Sequence, residues 1–169
     1  MLELLAQIAL VLVGLKAAMF LVAVLRRVTY SGPGNMRKRY GEWAVVTGAS
    51  DGIGKAYAAE LARKGLKVML VARTELKLQA VAEEIKSKVS GAEVDYIVLD
   101  FSDAPADWRE RVAAEMEEKG CNDVGVLVNN VGISYSHAEY LHRVDQETID
   151  NNIRINVEGT TAMTRLVVG

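Results

Sequence analysis

From Trp43 onward the chain alternates short apolar runs with longer stretches in which apolar residues return every third or fourth place. WAVVT (43–47), LKVMLVA (66–72), VDYIVLD (94–100) and DVGVLVNN (123–130) are almost continuously apolar. Runs of that length and character read as strands covered on both faces. Between them lie helical patterns. KAYAAELARKG (55–65) is amphipathic and ends on Gly65, a C-terminal stop signal. Leu78, Val81, Ala82, Ile85 and Val89 share one face of a second helix, and Trp108, Val112 and Met116 mark a third that closes near Gly120. Asp145 is placed as the cap of a last helix running to the C-terminus. This rhythm predicts an α/β fold with a parallel sheet of about four strands and helices on both faces. There is no solenoid-length repeat and no low-complexity tract.

The N-terminus follows another pattern. Residues 4–25, LLAQIALVLVGLKAAMFLVAVL, are apolar except for Gln7 and Lys16. About 20 such residues span a bilayer as a helix. Lys16 costs roughly 2.5–3.5 kcal/mol at mid-membrane, against gains of about 0.3–0.6 kcal/mol for each Leu, Ile, Val or Phe. The balance favours insertion. A cleaved signal peptide is the rival, but the chain begins MLE where a basic start is wanted. Residues 1–27 are therefore expected to be a membrane-anchor helix, 28–42 a basic linker containing SGPGN, and 43–169 the folded domain. Arg26, Arg27, Arg37, Lys38 and Arg39 place that domain on the cytosolic side by the positive-inside tendency.

Composition adds exclusions. The 169 residues carry a net charge of -2, so the electrostatic footprint of a nucleic-acid binder is missing. The single cysteine, Cys121, excludes an internal disulfide and suits a reducing compartment. It stands among Gly, Asn and Asp, without the basic neighbours of an activated thiol. His137 and His142 have no acid or cysteine at ligand spacing, and no metal site is predicted.

Candidate chemistry begins at TGASDGIG (47–54). A glycine turn between a strand and a helix places free backbone N–H groups beside the positive helix end, which suits a pyrophosphate. Glycines there supply positive φ and close backbone approach. A carboxylate about 20 residues further on would bind the ribose of NAD. The chain reads LVARTELK instead, with Arg73 at that place and Lys77 one helical turn on. An arginine suits a 2′-phosphate through charge-assisted, fork-like hydrogen bonds, so NADPH is favoured over NADH. Ligands of such sheets bind beyond the carboxyl ends of strands, which draws in Asp100 in LDFS and Asn129 and Asn130 in NNVG. Asp and Asn are also ordinary turn formers there, and the asparagines could serve only to tie strands together.

With these motifs in order, the chain resembles the classical short-chain dehydrogenase/reductases from residue 43 to 169. TGASDGIG matches T-G-x-x-x-G-x-G, LDFS the adenine-side aspartate motif, and NNVG the N-N-A-G motif with Val131 for alanine. Asn156 in RINVEGT matches the family's helix asparagine. The apolar start, RYGEWAVVTGASDGIGKAYAAELARKG and VGVLVNNVGISY are similar to the microsomal very-long-chain 3-oxoacyl-CoA reductase group, also called 17-beta-hydroxysteroid dehydrogenase type 12-like. The resemblance implies a Rossmann-type doubly wound sheet and an endoplasmic-reticulum membrane protein. It also implies NADPH-dependent reduction of a long-chain 3-ketoacyl-CoA during fatty-acid elongation, beside other elongase components. By motif, Gly48, Ser50, Asp51, Gly52, Ile53, Gly54, Arg73, Asp100 and Asn129 would touch cofactor, with Lys77 adding charge beside Arg73, and Asn156 would hold a catalytic relay water. It further implies pairing of the complete protein through the Asn156 helix.

One departure matters. The family's proton donor is a tyrosine followed four residues later by lysine. Tyr30, Tyr40, Tyr57, Tyr96, Tyr135 and Tyr140 are followed at that distance by Gly34, Ala44, Leu61, Asp100, Glu139 and Val144. Ser134 and Ser136 lie just past the fourth strand, where the family's catalytic serine does not fall. The expectation is an N-terminal part of a reductase, with half the sheet and the fourth strand at an open edge. A steroid or retinoid ketone reductase and a non-catalytic, membrane-tethered nucleotide binder stay open as alternatives.

Overall fold

The computed structural model describes residues 2–29 and 36–168. The chain divides into two units, Met1–Gly34 and Asn35–Gly169. SGPGN (31–35) lies outside the described residues.

The first unit holds one helix, α1 (Leu2–Thr29), with Arg26 and Arg27 in its last turn, where cations complement the helix dipole. Leu10, Val11, Leu12, Val13, Leu15, Met19, Phe20 and Leu21 all stand exposed. Among the described residues, however, no helix is long and apolar enough to cross a membrane. Gln7 and Lys16 interrupt the apolar run of residues 4–25, and Arg26 and Arg27 follow it.

The second unit begins earlier than the sequence pattern suggests. Met36–Tyr40, inside the stretch expected as linker, forms a short helix, α2. Its Arg37 pairs with Glu42 at 3.3 Å and with Glu93 at 3.8 Å, and Lys67 pairs with the same two acids. The basic run is thus partly spent on the domain's own acidic residues.

The expected α/β architecture follows: β1 (Trp43–Thr47), α3 (Gly52–Arg63), β2 (Lys67–Ala72), α4 (Glu75–Lys88), β3 (Val94–Val98), α5 (Trp108–Glu118) and β4 (Val124–Val128). The strands are parallel in the order β3-β2-β1-β4. Val45 faces Met69 on β2 and Leu127 on β4, so β1 lies at the centre. Alternate strand residues feed two cores. Ala44, Val46, Val68 and Leu70 meet Ala58, Leu61, Leu78, Val81 and Ile85 of α3 and α4. Val45, Met69, Val71 and Ile97 meet Trp108, Val112, Met116, Ile155 and Met163 on the other face. Helices on both faces explain why these strands are continuously apolar.

Boundaries differ from the sequence pattern for local reasons. β3 stops at Val98, because Asp100 turns the chain by accepting from Ser102 N at 2.9 Å. α3 starts at Gly52 rather than Lys55, because Asp51 caps it. The last helix is not uniform: α6 (Gln146–Ile153) and α7 (Thr160–Val168) are joined by a π-helical turn, Arg154–Gly159. Such turns often mark functional places. Asp145 is the α6 cap as expected, accepting from Thr148 N at 2.8 Å.

Candidate functional site

The crossover order reverses around β1, with β2 on one side and β4 on the other, and a crevice opens beyond the carboxyl ends at such a point. The turn from β1 to α3 occupies it. Thr47 is the only polar side chain in the fully buried class among the described residues. Its hydroxyl donates to Val128 O at 3.4 Å and accepts from Asn130 N at 3.0 Å and Val131 N at 3.1 Å. Asn130 returns the contact, its Nδ2 donating to Thr47 O and Gly48 O, both at 3.1 Å. These bonds strap the end of β4 to the glycine turn.

Two glycines are demanded by this closeness. Gly48 sits at φ 63, and a Cβ there would meet Asn130 Nδ2 at 2.9 Å. A Cβ on Gly54 would be driven into the Gly48 carbonyl and would lie 2.6 Å from Asn130 Nδ2. The turn therefore folds flat onto the start of α3. The first-turn N–H groups of that helix lack intrahelical acceptors and carry the positive end of its dipole. Ser50 is half-buried, and Asp51, Gly52 and Ile53 are exposed at the mouth. A pyrophosphate fits this arrangement: backbone donors, no Cβ in the way, and one helix end aimed at it.

At the end of β2, Arg73 is exposed, and Lys77 is exposed one turn into α4. The Arg73 charge reaches Asp100 beyond the neighbouring strand β3. Burial raises the Asp100 carboxyl, but hydrogen bonds from the Ser102 hydroxyl (2.6 Å) and N–H (2.9 Å), with Arg73, outweigh it and hold the group below the usual carboxylate range. Asp100 is thus an anion beside Arg73. Both bonds from Ser102 fall on Oδ1.

At the end of β4 the two asparagines part ways. Asn130 ties strands together, as described. Asn129, the member expected to touch cofactor, donates from Nδ2 to Thr164 Oγ1 on α7 at 3.0 Å. Asn156, expected to hold a relay water, lies in the π turn. Its side chain is engaged: Oδ1 accepts from Ile133 N and Nδ2 donates to Ile133 O, each at 2.9 Å. It acts as a two-point clamp on the segment that leaves β4.

Other chemistry is absent from the described geometry. Burial, with a smaller push from Asp95, drives the Cys121 thiol up to about 12, so it is not a nucleophile at neutral pH. His137 hydrogen-bonds Ser136 at 2.9 Å, and the exposed His142 ring stacks on Tyr140. Among the described residues no group of His, Cys, Asp and Glu could hold a metal ion.

A family model for short chain dehydrogenases matches residues 42–169. The chain belongs to the short-chain dehydrogenases. Within this family it is 50% identical over 139 residues to a very-long-chain 3-oxoacyl-CoA reductase of Anas platyrhynchos, covering 81% of this chain and 41% of that one. It is 43% identical over 131 residues to an inactive hydroxysteroid dehydrogenase-like protein 1 of Homo sapiens, covering 78% and 38%. Among solved structures, an alcohol dehydrogenase from Thermococcus sibiricus complexed with 5-hydroxy-NADP superposes with a TM-score of 0.67 at 33% identity, over 75% of this chain and 52% of that one. The chain thus spans about two fifths of the length of these curated relatives.

The short-chain dehydrogenase motifs expected at this site fall together at one end of the sheet. Asn130 ties strands together, the second role the asparagine doublet offered; what residue reading passed over is its partner Thr47. A signal existed for it: a lone polar residue closing a buried strand.

Proposed function

We propose that this chain is the nucleotide-binding part of a membrane-attached, NADPH-dependent reductase that converts a long-chain 3-ketoacyl-CoA to the 3-hydroxyacyl-CoA. The observation that carries the cofactor reading is the cradle between β1 and α3, with Arg73 exposed where an NAD enzyme needs a carboxylate. The substrate reading is supported by likeness to relatives named very-long-chain 3-oxoacyl-CoA reductase in bird and fungus, and to one named very-long-chain 3-oxoacyl-CoA reductase-like protein in a plant. Exposed apolar residues along α1, followed by Arg26 and Arg27, support contact with lipid; placing that contact at the endoplasmic reticulum, beside fatty-acid elongase components, rests on the likeness to the very-long-chain 3-oxoacyl-CoA reductases.

The chemistry that a nicotinamide held at this cradle would supply is hydride for the ketone carbon. The residues of this chain bind and orient: the α3 end takes phosphate, Arg73 and Lys77 take the 2′-phosphate, and Asn156 holds the Ile133 segment in place. None of its six tyrosines has lysine four residues on, so the proton donor of the family pattern is not among these residues. The deciding experiment incubates the chain, and the reading frame extended past Gly169, with NADPH and a long-chain 3-ketoacyl-CoA. The chain alone is expected to bind NADPH without oxidising it, and the extended protein to oxidise it. A folded extended protein that leaves NADPH unchanged on this substrate refutes the reductase reading.

A second reading has an observation behind it. Likeness to a relative named inactive favours a non-catalytic nucleotide binder tethered to the membrane. Nucleotide binding without turnover in both proteins would select it.

A further inference from the structure

The short helix α2 is built onto the amino-terminal end of the sheet, the pole opposite the crevice. Trp43 N donates to Asp123 O at 2.9 Å and Glu42 N to Asp123 Oδ2 at 3.1 Å, which fixes the entry to β1 beside the start of β4. A Cβ on Gly125 would be driven into the Tyr40 backbone, so only glycine lets α2 lie against β4. Met36 packs on the core formed with α3 and α4, and Arg37 reaches Glu42 and Glu93. These contacts occupy the start of α2.

The rest of α2 is Lys38, Arg39 and Tyr40, and all three are exposed. The Arg39 guanidinium lies 5.4 Å from the centre of the Tyr40 ring, a cation–π contact that keeps charge and ring together at the surface. Glu42, Glu93 and Asp123 stand at the same pole but are engaged. Each of the two glutamates pairs with both Arg37 and Lys67, and Asp123 accepts from Glu42 N. Lys38 and Arg39 therefore add positive charge at an exposed rim that also carries a tyrosine. Such a rim matches anionic phospholipid headgroups, which attract nearby cations, while tyrosine favours the boundary between headgroups and water. Chain length brings the same lipid within reach. Only residues 30–35 separate α1 from α2, and an extended chain covers at most about 3.6 Å per residue.

We propose that α2 is a second lipid contact, at which Lys38, Arg39 and Tyr40 meet anionic headgroups. This rests on the reading of α1 as a lipid contact. The rim is too small to retain the domain unaided, so α1 holds the chain to lipid and α2 orients it. Seated on this pole, the domain keeps its cofactor crevice, at the other, clear of the headgroups. The attraction is electrostatic, so it needs anionic lipid and fades as salt screens it.

The test measures partition of the full chain onto vesicles of phosphatidylcholine alone and of phosphatidylcholine with phosphatidylserine, at low and high salt. Wild type is compared with Arg39→Gln, Arg37→Gln and the double variant Lys38→Gln/Arg39→Gln, with circular dichroism as the check on folding. Wild type is expected to prefer the phosphatidylserine vesicles at low salt. Arg39→Gln should lose about fivefold of its partition onto them and the double variant up to about thirtyfold, with phosphatidylcholine binding unchanged. Arg37→Gln should lose much less, because that guanidinium is already paired with Glu42 and Glu93. Wild-type binding to phosphatidylserine vesicles by the folded double variant overturns the inference and leaves α1 as the lipid contact. An Arg37→Gln loss as large as that of Arg39→Gln also overturns it, since net charge rather than this rim would then be felt. If wild type partitions onto neither vesicle, the reading of α1 falls, and this inference with it.

Discussion

Arg73 shows how much one side chain carries at this site. It is exposed, has no carboxylate at the ribose position to compete with, and its charge falls on Asp100 rather than in a tight salt bridge. A group so placed is free to pair with a 2′-phosphate, and a fork-like guanidinium is suited to it. Arg73→Asp in the extended protein is expected to weaken NADPH by about 1.5–3 kcal/mol, the scale of a charge-assisted hydrogen bond, while NADH changes little. Fluorescence titration with both cofactors checks this, and equal losses would refute the assigned role. Cys121 makes the opposite point. Its neighbours in the sequence already argued against an activated thiol, and burial in the α5 core explains why it is inert.

At the scale of elements, the site depends on bonds between strand ends rather than on any one strand. Thr47 accepts two N–H groups from the segment leaving β4, and Asn130 donates two bonds back into the glycine turn. Thr47→Val keeps the shape and β preference but leaves those partly buried N–H groups without an acceptor. Such orphaned groups cost about 1–3 kcal/mol each. With two such groups, urea unfolding should show a loss of about 2–6 kcal/mol, and Thr47→Ser should recover most of it. If Val is tolerated without loss, the strap does not hold the turn. The π turn between α6 and α7 belongs to the same scale. It places Asn156 so that its amide pairs with both backbone groups of Ile133, which a residue-by-residue motif match could not show.

For the whole molecule, the strand order β3-β2-β1-β4 puts β1 inside and leaves β4 paired on one side only among the described residues. An unpaired apolar edge is a template for further pairing, which agrees with relatives whose length is more than twice the matched span. The division at Gly34 separates a helix with exposed apolar side chains from a domain with its own two cores. Removing residues 1–34 is therefore expected to abolish flotation with liposomes while far-UV circular dichroism of the remaining domain is retained. Continued flotation of the shortened chain would show that α1 is not the lipid contact.

Much of this architecture was legible in the residues themselves. Continuous apolar runs at WAVVT and LKVMLVA identify strands covered on both faces, because only a sheet between two helix layers hides every side chain of a strand. The glycines of TGASDGIG and the arginine that follows β2 point to a phosphate cradle, because positive φ, close approach and fixed charge are properties of single residue types. Contacts between distant segments were not legible. Asn129 and Asn130 are adjacent and chemically alike, yet one bonds α7 and the other bonds β1, since alternate residues at a strand end face opposite ways. Whether Lys55 answers Asp51 four residues before it or Glu84 on α4 depends on how α3 and α4 pack. Local chemistry is written in residue identity and spacing. Which hydrogen-bonding group finds which partner was settled by the packing of the helices on the sheet.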